Sequence, residues 1–191
     1  MDNNILKEEI SFLVQRAKNK DTDAFAKLYE IIYKDLYRMA LYTLGNSHDA
    51  ENAVSDAVVD AFLGIEKLQD PNAFRTWMFR ILTAKCARQI SENIKSRNLI
   101  GDMTVERVTE TLISTNDGIG QVLDRSIVEM AFLALNDEEK QIVTMTVYGQ
   151  MDSGEIAECL NMNRNTVRSI YHRALAKMKK KLEAGGISYG R

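Results

Sequence analysis

Residues 164–181 hold seven Lys or Arg and no Asp or Glu, in a chain whose formal charge is −2. Among them and their neighbours, Arg164, Asn165, Thr166, Arg168, Ser169, His172, Arg173 and Lys177 offer guanidinium, amide, hydroxyl, imidazole and ammonium donors. Such groups bond to guanine or adenine edges and to phosphate oxygens. Between them Val167, Ile170, Tyr171, Ala174, Met178 and Leu182 recur at helical spacing, which predicts one helix with an apolar inner stripe and a donor-rich outer face. Lys179, Lys180 and Lys181 extend the basic surface. No comparable concentration of chemistry occurs elsewhere. His48 and His172 have no partner at metal-ligand spacing, and neither a Gly-rich phosphate loop nor a nucleophile elbow is visible. The expectation is no catalytic residue, no metal and no cofactor.

A donor face on a helix is useful only if the preceding elements fix its angle. Asn163 is placed to cap that helix, after an Asn161-Met162-Asn163 turn. Asp152 and Glu155 form a capping-box pair opening a short helix whose core side is Ile156, Ala157 and Leu160. Before it, Asn136-Asp137-Glu138-Glu139 reads as a capped helix start, followed by Ile142, Val143, Met145, Thr146 and Tyr148 and stopped at Gly149. Upstream, Val122, Ile127, Met130, Leu133 and Ala134 are available to pack. A short helix, a tight turn and a second helix with base-reading residues at its start match the docking geometry of helix-turn-helix proteins. The alternative is a solvated basic helix closing a bundle; caps, turn length, stripe and charge asymmetry agree on the former.

The N-terminal half reads as four helices. Ile10, Leu13, Val14 and Ala17 mark the first; Phe25, Leu28, Tyr29, Ile32, Leu36, Met39, Ala40 and Leu44 the second, with Gly45 as its C-terminal cap. Asn46 or Ser47 caps a third, where Ala50, Ala53, Val54, Ala57, Val58, Ala61, Phe62 and Ile65 share one face. Its other face is acidic. Asp49 and Glu51 near the start suit the positive end of the helix dipole. Asp56 and Asp60 lie beside Val59 and Leu63 outside the stripe, a mixture that fits a protein-binding face or a solvated surface. After Gln69-Asp70-Pro71-Asn72, Phe74, Trp77, Met78, Ile81 and Leu82 open a fourth helix expected to end near Ile90, with Phe74 and Trp77 as core rather than stacking platforms. Arg75, Arg80, Lys85 and Arg88 give it a basic side.

One proline in 191 residues and an abundance of Leu, Ala, Met, Glu and Lys point to an all-α chain. From about Ser91 to Gly120 the apolar period fades, so two helical domains joined by a flexible linker are expected. Cys86 and Cys159 lie far apart among apolar neighbours and are expected to be buried structural thiols. The start, MDNNILKEEI, has no basic n-region or apolar h-region, and no stretch reaches bilayer length, so a cytoplasmic protein without membrane insertion is expected.

The sequence resembles the extracytoplasmic-function sigma factors of bacterial RNA polymerase. DAFAKLYEIIYKDLYRMALYTLGNSHDAENAVSDAVVDAFLGIEKL is similar to the family's paired Leu-Tyr steps, Leu-Gly stop and acidic helix, and AFRTWMFRI to the segment that follows. LNDEEKQIV, EIAECL and NTVRSIYHRALAKMKKKL resemble region 4. The resemblance implies region 2 over residues 1–92, a linker over 93–121, region 4 over 122–184 and a tail over 185–191. It implies core RNA polymerase as partner, through its clamp helices and flap, together with promoter DNA and the family's anti-sigma factors. By the same resemblance Asp49, Glu51, Asn52, Asp56 and Asp60 fall on the clamp-binding segment. Asp70, Asn72, Arg80, Lys85 and Arg88 fall where region 2 opens the minus-ten element, and region 4 reads the minus-thirty-five element.

Three features depart from the family pattern. Ala84 followed by Lys85 stands where the family often has Asn, Ile170 where it usually has Arg, and only Lys95 and Arg97 remain of a basic run after the fourth helix. Two other functions stay compatible with the residues: a sigma-like adaptor or decoy without promoter opening, and a conventional helix-turn-helix regulator.

Overall fold

The computed structural model describes residues 3–100 and 131–184, and all regular structure among them is helical. In chain order the helices are α1 (Asn3–Lys18), α2 (Thr22–Leu44), α3 (Ser47–Gly64), α4 (Phe74–Ile100), α5 (Asp137–Val147), α6 (Ser153–Leu160) and α7 (Arg164–Ala184). They form two compact units, the first built from α1 to α4 and the second from α5 to α7. Most of the expected linker, the expected packing residues Val122, Ile127 and Met130, and the tail 185–191 lie outside the described residues.

Helix α2 organises the first unit, packing against α1, α3 and α4. Its buried residues are Ala24, Phe25, Leu28, Ile32, Leu36, Met39 and Ala40; of the predicted stripe, Tyr29 and Leu44 are only half-buried. Asp21 caps its start by accepting from the Ala24 N–H at 3.0 Å. Gly45 ends it with a φ of 78°, where its N–H reaches the Leu41 carbonyl. An L side chain rarely takes that left-handed conformation, which is the physical reason for glycine at this stop. Asn46 caps α3, accepting from the Asp49 N–H at 2.7 Å.

Five of the eight residues expected along the α3 stripe are buried within the helix, and Ile65 is buried just beyond it. Phe62 is not: 45% of it stays exposed, and its ring meets Phe25 edge-on at 5.2 Å. Five residues beyond Ala57 is about 140° around the helix, which carries Phe62 off the core face. Helix α4 brings Phe74, Met78, Phe79, Leu82 and Cys86 into the core. Trp77 is half-buried at the rim, where a Cβ on Gly64 would lie 3.5 Å from its ring.

Helix α4 does not stop near Ile90 but continues to Ile100. Arg88 bonds Glu92 at 2.8 Å, Gln89 bonds Asn93 at 3.2 Å, and the Ser91 hydroxyl donates to the Ala87 carbonyl at 3.0 Å. None of residues 91–95 is buried, so apolar periodicity gave no sign of the continuation, while the pairs Arg88 with Glu92 and Gln89 with Asn93 support it at i,i+4 spacing. In the second unit Ala131, Phe132 and Leu135 are buried, while Leu133, expected to pack, is 58% exposed. Two residues from Ala131 is about 200° of rotation, so the two cannot share a face. Cys86 is buried, and that burial pushes its thiol up to about 12; Cys159 is only half-buried.

Phe79 was not singled out from the sequence, yet it is fully enclosed in the first unit. Replacing Phe79 with Ala is expected to destabilise that unit by about 3–5 kcal/mol through the cavity it leaves. The urea midpoint of helix loss measures this; a loss below about 1 kcal/mol would show that the core closes over the gap.

Candidate nucleic-acid interface and acidic partner face

The second unit fixes the angle of α7 through four capped helix ends. At the start of α5, Asn136 accepts from the Glu139 N–H at 2.8 Å and donates its own N–H to the Glu139 carboxylate at 3.0 Å. At the start of α6, Asp152 accepts from the N–H groups of Gly154 and Glu155 at 2.6 and 2.9 Å, and Glu155 returns an acceptor to the Asp152 N–H at 2.8 Å. Asn161 then takes the left-handed conformation at φ 52°, its N–H directed to the carbonyls of Ala157 and Glu158. Asn163 opens α7 by accepting from the Asn165 N–H at 2.8 Å. The predicted inner stripe is present: Val167, Ile170, Ala174 and Leu182 are buried, with Tyr171 and Met178 half-buried.

That packing turns Arg164, Asn165, Thr166, Arg168, Ser169, His172 and Arg173 outward together, and all seven are exposed. Two of them are braced. The Nε groups of Arg164 and Arg168 both donate to the Ser153 hydroxyl, at 3.1 and 3.2 Å, joining the start of α6 to the first turns of α7. Farther along, Arg173 Nε donates to the Ser169 carbonyl at 3.3 Å, and the Ser169 hydroxyl to the Asn165 carbonyl at 2.9 Å. Lys177 is not left open with them, because its ammonium sits on both carboxylate oxygens of Glu139 at 2.6 and 2.9 Å.

The first unit divides its charges differently from the expected pattern. On α3, Glu51, Asn52 and Asp56 are exposed beside Val59, 56% exposed, and Leu63, 73% exposed. Asn52 contacts His48 across one turn at 3.2 Å. Asp49 and Asp60 instead turn to α4: Asp49 accepts from Asn93 at 2.9 Å, and Asp60 pairs with Lys85 at 2.6 Å. The bases on α4 are correspondingly engaged. Lys85 is held by Asp60 and Arg88 by Glu92, while Arg75 pairs with Asp35 at 2.6 Å and lies over the Phe79 ring at 5.3 Å. Arg80 is exposed. Asp70 and Asn72 lie together in the loop before α4, where Asp70 accepts from the Asn72 backbone and side-chain N–H groups at 2.9 and 3.1 Å.

Three residues important to this arrangement were not assigned roles in it from sequence: Asp35, Glu139 and Ser153. Glu139 carried the one usable signal, as the fourth residue of a capping box. Asp35 and Ser153 meet their partners 40, 11 and 15 residues away, pairings that local periodicity does not contain. Among the described residues no cluster of His, Cys, Asp and Glu could hold a metal ion, and no helix is long and apolar enough to cross a membrane.

A helical unit with an acidic, partly apolar face, followed by a helix-turn-helix whose last helix is basic, defines an all-helical protein of two modules, a build suited to DNA-binding transcription proteins. Comparison with known proteins makes the class specific. Residues 28–94 match the family model of sigma-70 region 2 and residues 131–180 that of sigma-70, region 4. The chain therefore belongs to the sigma-70 family, with both modules present in the family's order. It is 23% identical over 176 residues to the ECF RNA polymerase sigma factor SigW of Bacillus subtilis, covering 88% of this chain and 94% of that protein. It is 25% identical over 170 residues to the ECF RNA polymerase sigma factor SigL of Mycobacterium tuberculosis, covering 86% and 94%. Its fold is similar to that of CnrH in complex with the cytosolic domain of CnrY, at a TM-score of 0.60 and 20% identity over 92% of this chain and 98% of that one. The sigma factor RpoE of Bartonella quintana, in complex with the anti-sigma factor NepR, gives a TM-score of 0.60 at 14% identity, over 83% and 96%.

The capping box predicts an acid-sensitive helix-turn-helix. Hydrogen bonds from the Glu155 and Gly154 backbones, helped by Arg164 and Arg168, hold the Asp152 carboxyl below its usual 3.8. A depressed carboxyl adds stability above its unfolded pKa and loses it as pH falls through the folded value. The urea midpoint of the second unit is therefore expected to drop as pH falls below about 5, and Asp152→Asn, which keeps a capping oxygen without the charge, to flatten part of that drop. Identical pH profiles for the two proteins would remove Asp152 from the acid response.

Proposed function

We propose that this sigma factor works by binding core RNA polymerase through the exposed part of α3 and by presenting the outer face of α7 to the minus-thirty-five duplex. The observation that carries the reading is the single face on which Arg164, Asn165, Thr166, Arg168, Ser169, His172 and Arg173 are exposed while Val167, Ile170 and Ala174 are buried behind them. Arg168, braced through its Nε, is suited to a guanine edge or a phosphate, and Asn165 to an adenine edge.

On α3 the polymerase-facing set is Glu51, Asn52 and Asp56 with Val59 and Leu63, where charge steers encounter and the apolar pair adds buried area. Asp49 and Asp60 contribute there only by giving up their bonds to α4. Around the minus-ten element the set is Asp70, Asn72, Arg80, Lys85 and Arg88, of which Lys85 is paired with Asp60 and Arg88 with Glu92. Region 2 over residues 1–92, a linker over 93–121 and region 4 over 122–184 belong to the same reading, with α4 itself running on to Ile100. The protein makes no bond by catalysis of its own and acts in the cytoplasm. An anti-sigma factor is a further partner of this reading, supported by the anti-sigma factor NepR on one structural neighbour.

Run-off transcription with core polymerase tests the proposal. Promoter-specific RNA is expected without any other specificity subunit, and Arg168→Ala is expected to weaken promoter binding by about 1–3 kcal/mol. Core binding without specific initiation would leave an adaptor; DNA binding without core binding would leave a conventional regulator.

A further inference from the structure

Lys177 is part of the basic stretch of α7, one helical turn beyond Arg173 on the same side, and its type alone would add it to the phosphate contacts. The structure gives its charge to another group. Glu139 is 4% exposed, and its two carboxylate oxygens take the Lys177 ammonium at 2.6 and 2.9 Å while one of them also accepts the Asn136 N–H at 3.0 Å. A carboxylate so placed has most of its water removed, so its partners must supply what hydration no longer does. Burial alone would raise the Glu139 carboxyl; Lys177 and the Asn136 N–H outweigh it, with Arg173 adding to the same field, and hold it below its usual value.

We propose that Glu139 is a positioning residue for promoter reading: it ties the fourth turn of α7 to the start of α5 and withholds Lys177 from the DNA backbone. This rests on α7 being the DNA-reading helix. Two consequences follow from one contact. The tie fixes α7 within the later turns of its stripe, between the buried Ala174 and Leu182, where Met178 is only half-buried. The withheld charge removes one sequence-independent phosphate contact, and such contacts strengthen binding to all duplexes alike without helping a protein choose among them. Glu139 thereby lowers total affinity and favours discrimination, while the readers near the start of α7 keep their geometry.

The salt dependence of DNA binding separates this from a plain structural role, because the slope of log affinity against log salt counts phosphates neutralised, at about 0.9 per contact. The full-length protein would be titrated with a short fluorescent DNA duplex of random sequence, as wild type, Lys177→Gln, Glu139→Gln and the double variant. Gln at 139 keeps an oxygen for the Asn136 N–H, so the α5 cap is retained. Lys177→Gln is expected to leave the wild-type slope unchanged; Glu139→Gln to steepen it by about 0.9 as Lys177 becomes available; and the double variant to return to the wild-type slope. A slope reduced by Lys177→Gln alone would place Lys177 on DNA and overturn the proposal. So would a Glu139→Gln protein that stays helical with an unchanged slope. If Glu139→Gln loses its helix signal, the Lys177→Gln slope decides by itself. Wild-type protein that shows no salt-sensitive binding would instead contradict the reading of α7 as the DNA helix.

Discussion

The burial of one side of α7 is the constraint on which the rest of the molecule depends. Val167, Ile170 and Ala174 must face α5 and α6, since leaving them in water would forfeit roughly 1 to 3 kcal/mol for each larger side chain. Once that side is fixed, a helix has no freedom in what it shows on the other. The donors therefore emerge as a set, and their aim is decided by apolar packing rather than by the donors themselves. The Ser153 hydroxyl, accepting from Arg164 and Arg168, refines the aim at one end, and Glu139 refines it farther along.

The same separation of duties is weaker in the first unit. There the acids of α3 and the bases of α4 partly satisfy each other, through Asp60 with Lys85 and Asp49 with Asn93. Exposed or half-exposed pairs of this sort hold by only about 0 to 1 kcal/mol, so a competing polymerase surface or a phosphate can displace them at small cost. Arg75 differs, being largely enclosed between Asp35 and the Phe79 ring, and its charge is structural. A face whose charges are lightly committed suits a protein that must exchange partners, whereas the fixed face of α7 suits one that must recognise a sequence.

How much of this was legible in the sequence follows from the range of the interactions. Much that is periodic or local was readable: most of the α2 stripe, the Gly45 stop, the Asn46 and Asn163 caps, the Asp152 capping box and the outward set on α7. Departures occurred where periodicity had nothing to report, as in the polar turns of α4 after Ile90, or where it was extended past its angular limit, as at Phe62 and Leu133. The pairings that decide which charges are free were invisible for another reason. Lys85 with Asp60, Arg75 with Asp35 and Lys177 with Glu139 join residues 25 to 40 positions apart, so a residue list gave the ingredients of each face without their allocation. The family resemblance assigned roles by segment and so could not show that Asp49 and Asp60 also bond to α4.

The account stands on α7 meeting duplex DNA with its outer side while the protein is assembled with polymerase at a promoter. The most direct measurement is site-specific photo-crosslinking within that complex, with a photoreactive side chain carried at position 165 on the outer face in one protein and at position 59 on α3 in another. The account predicts that position 165 joins to the upstream duplex near the minus-thirty-five element and position 59 to polymerase protein. Crosslinks from position 165 to polymerase alone, with position 59 joined to DNA, would contradict it.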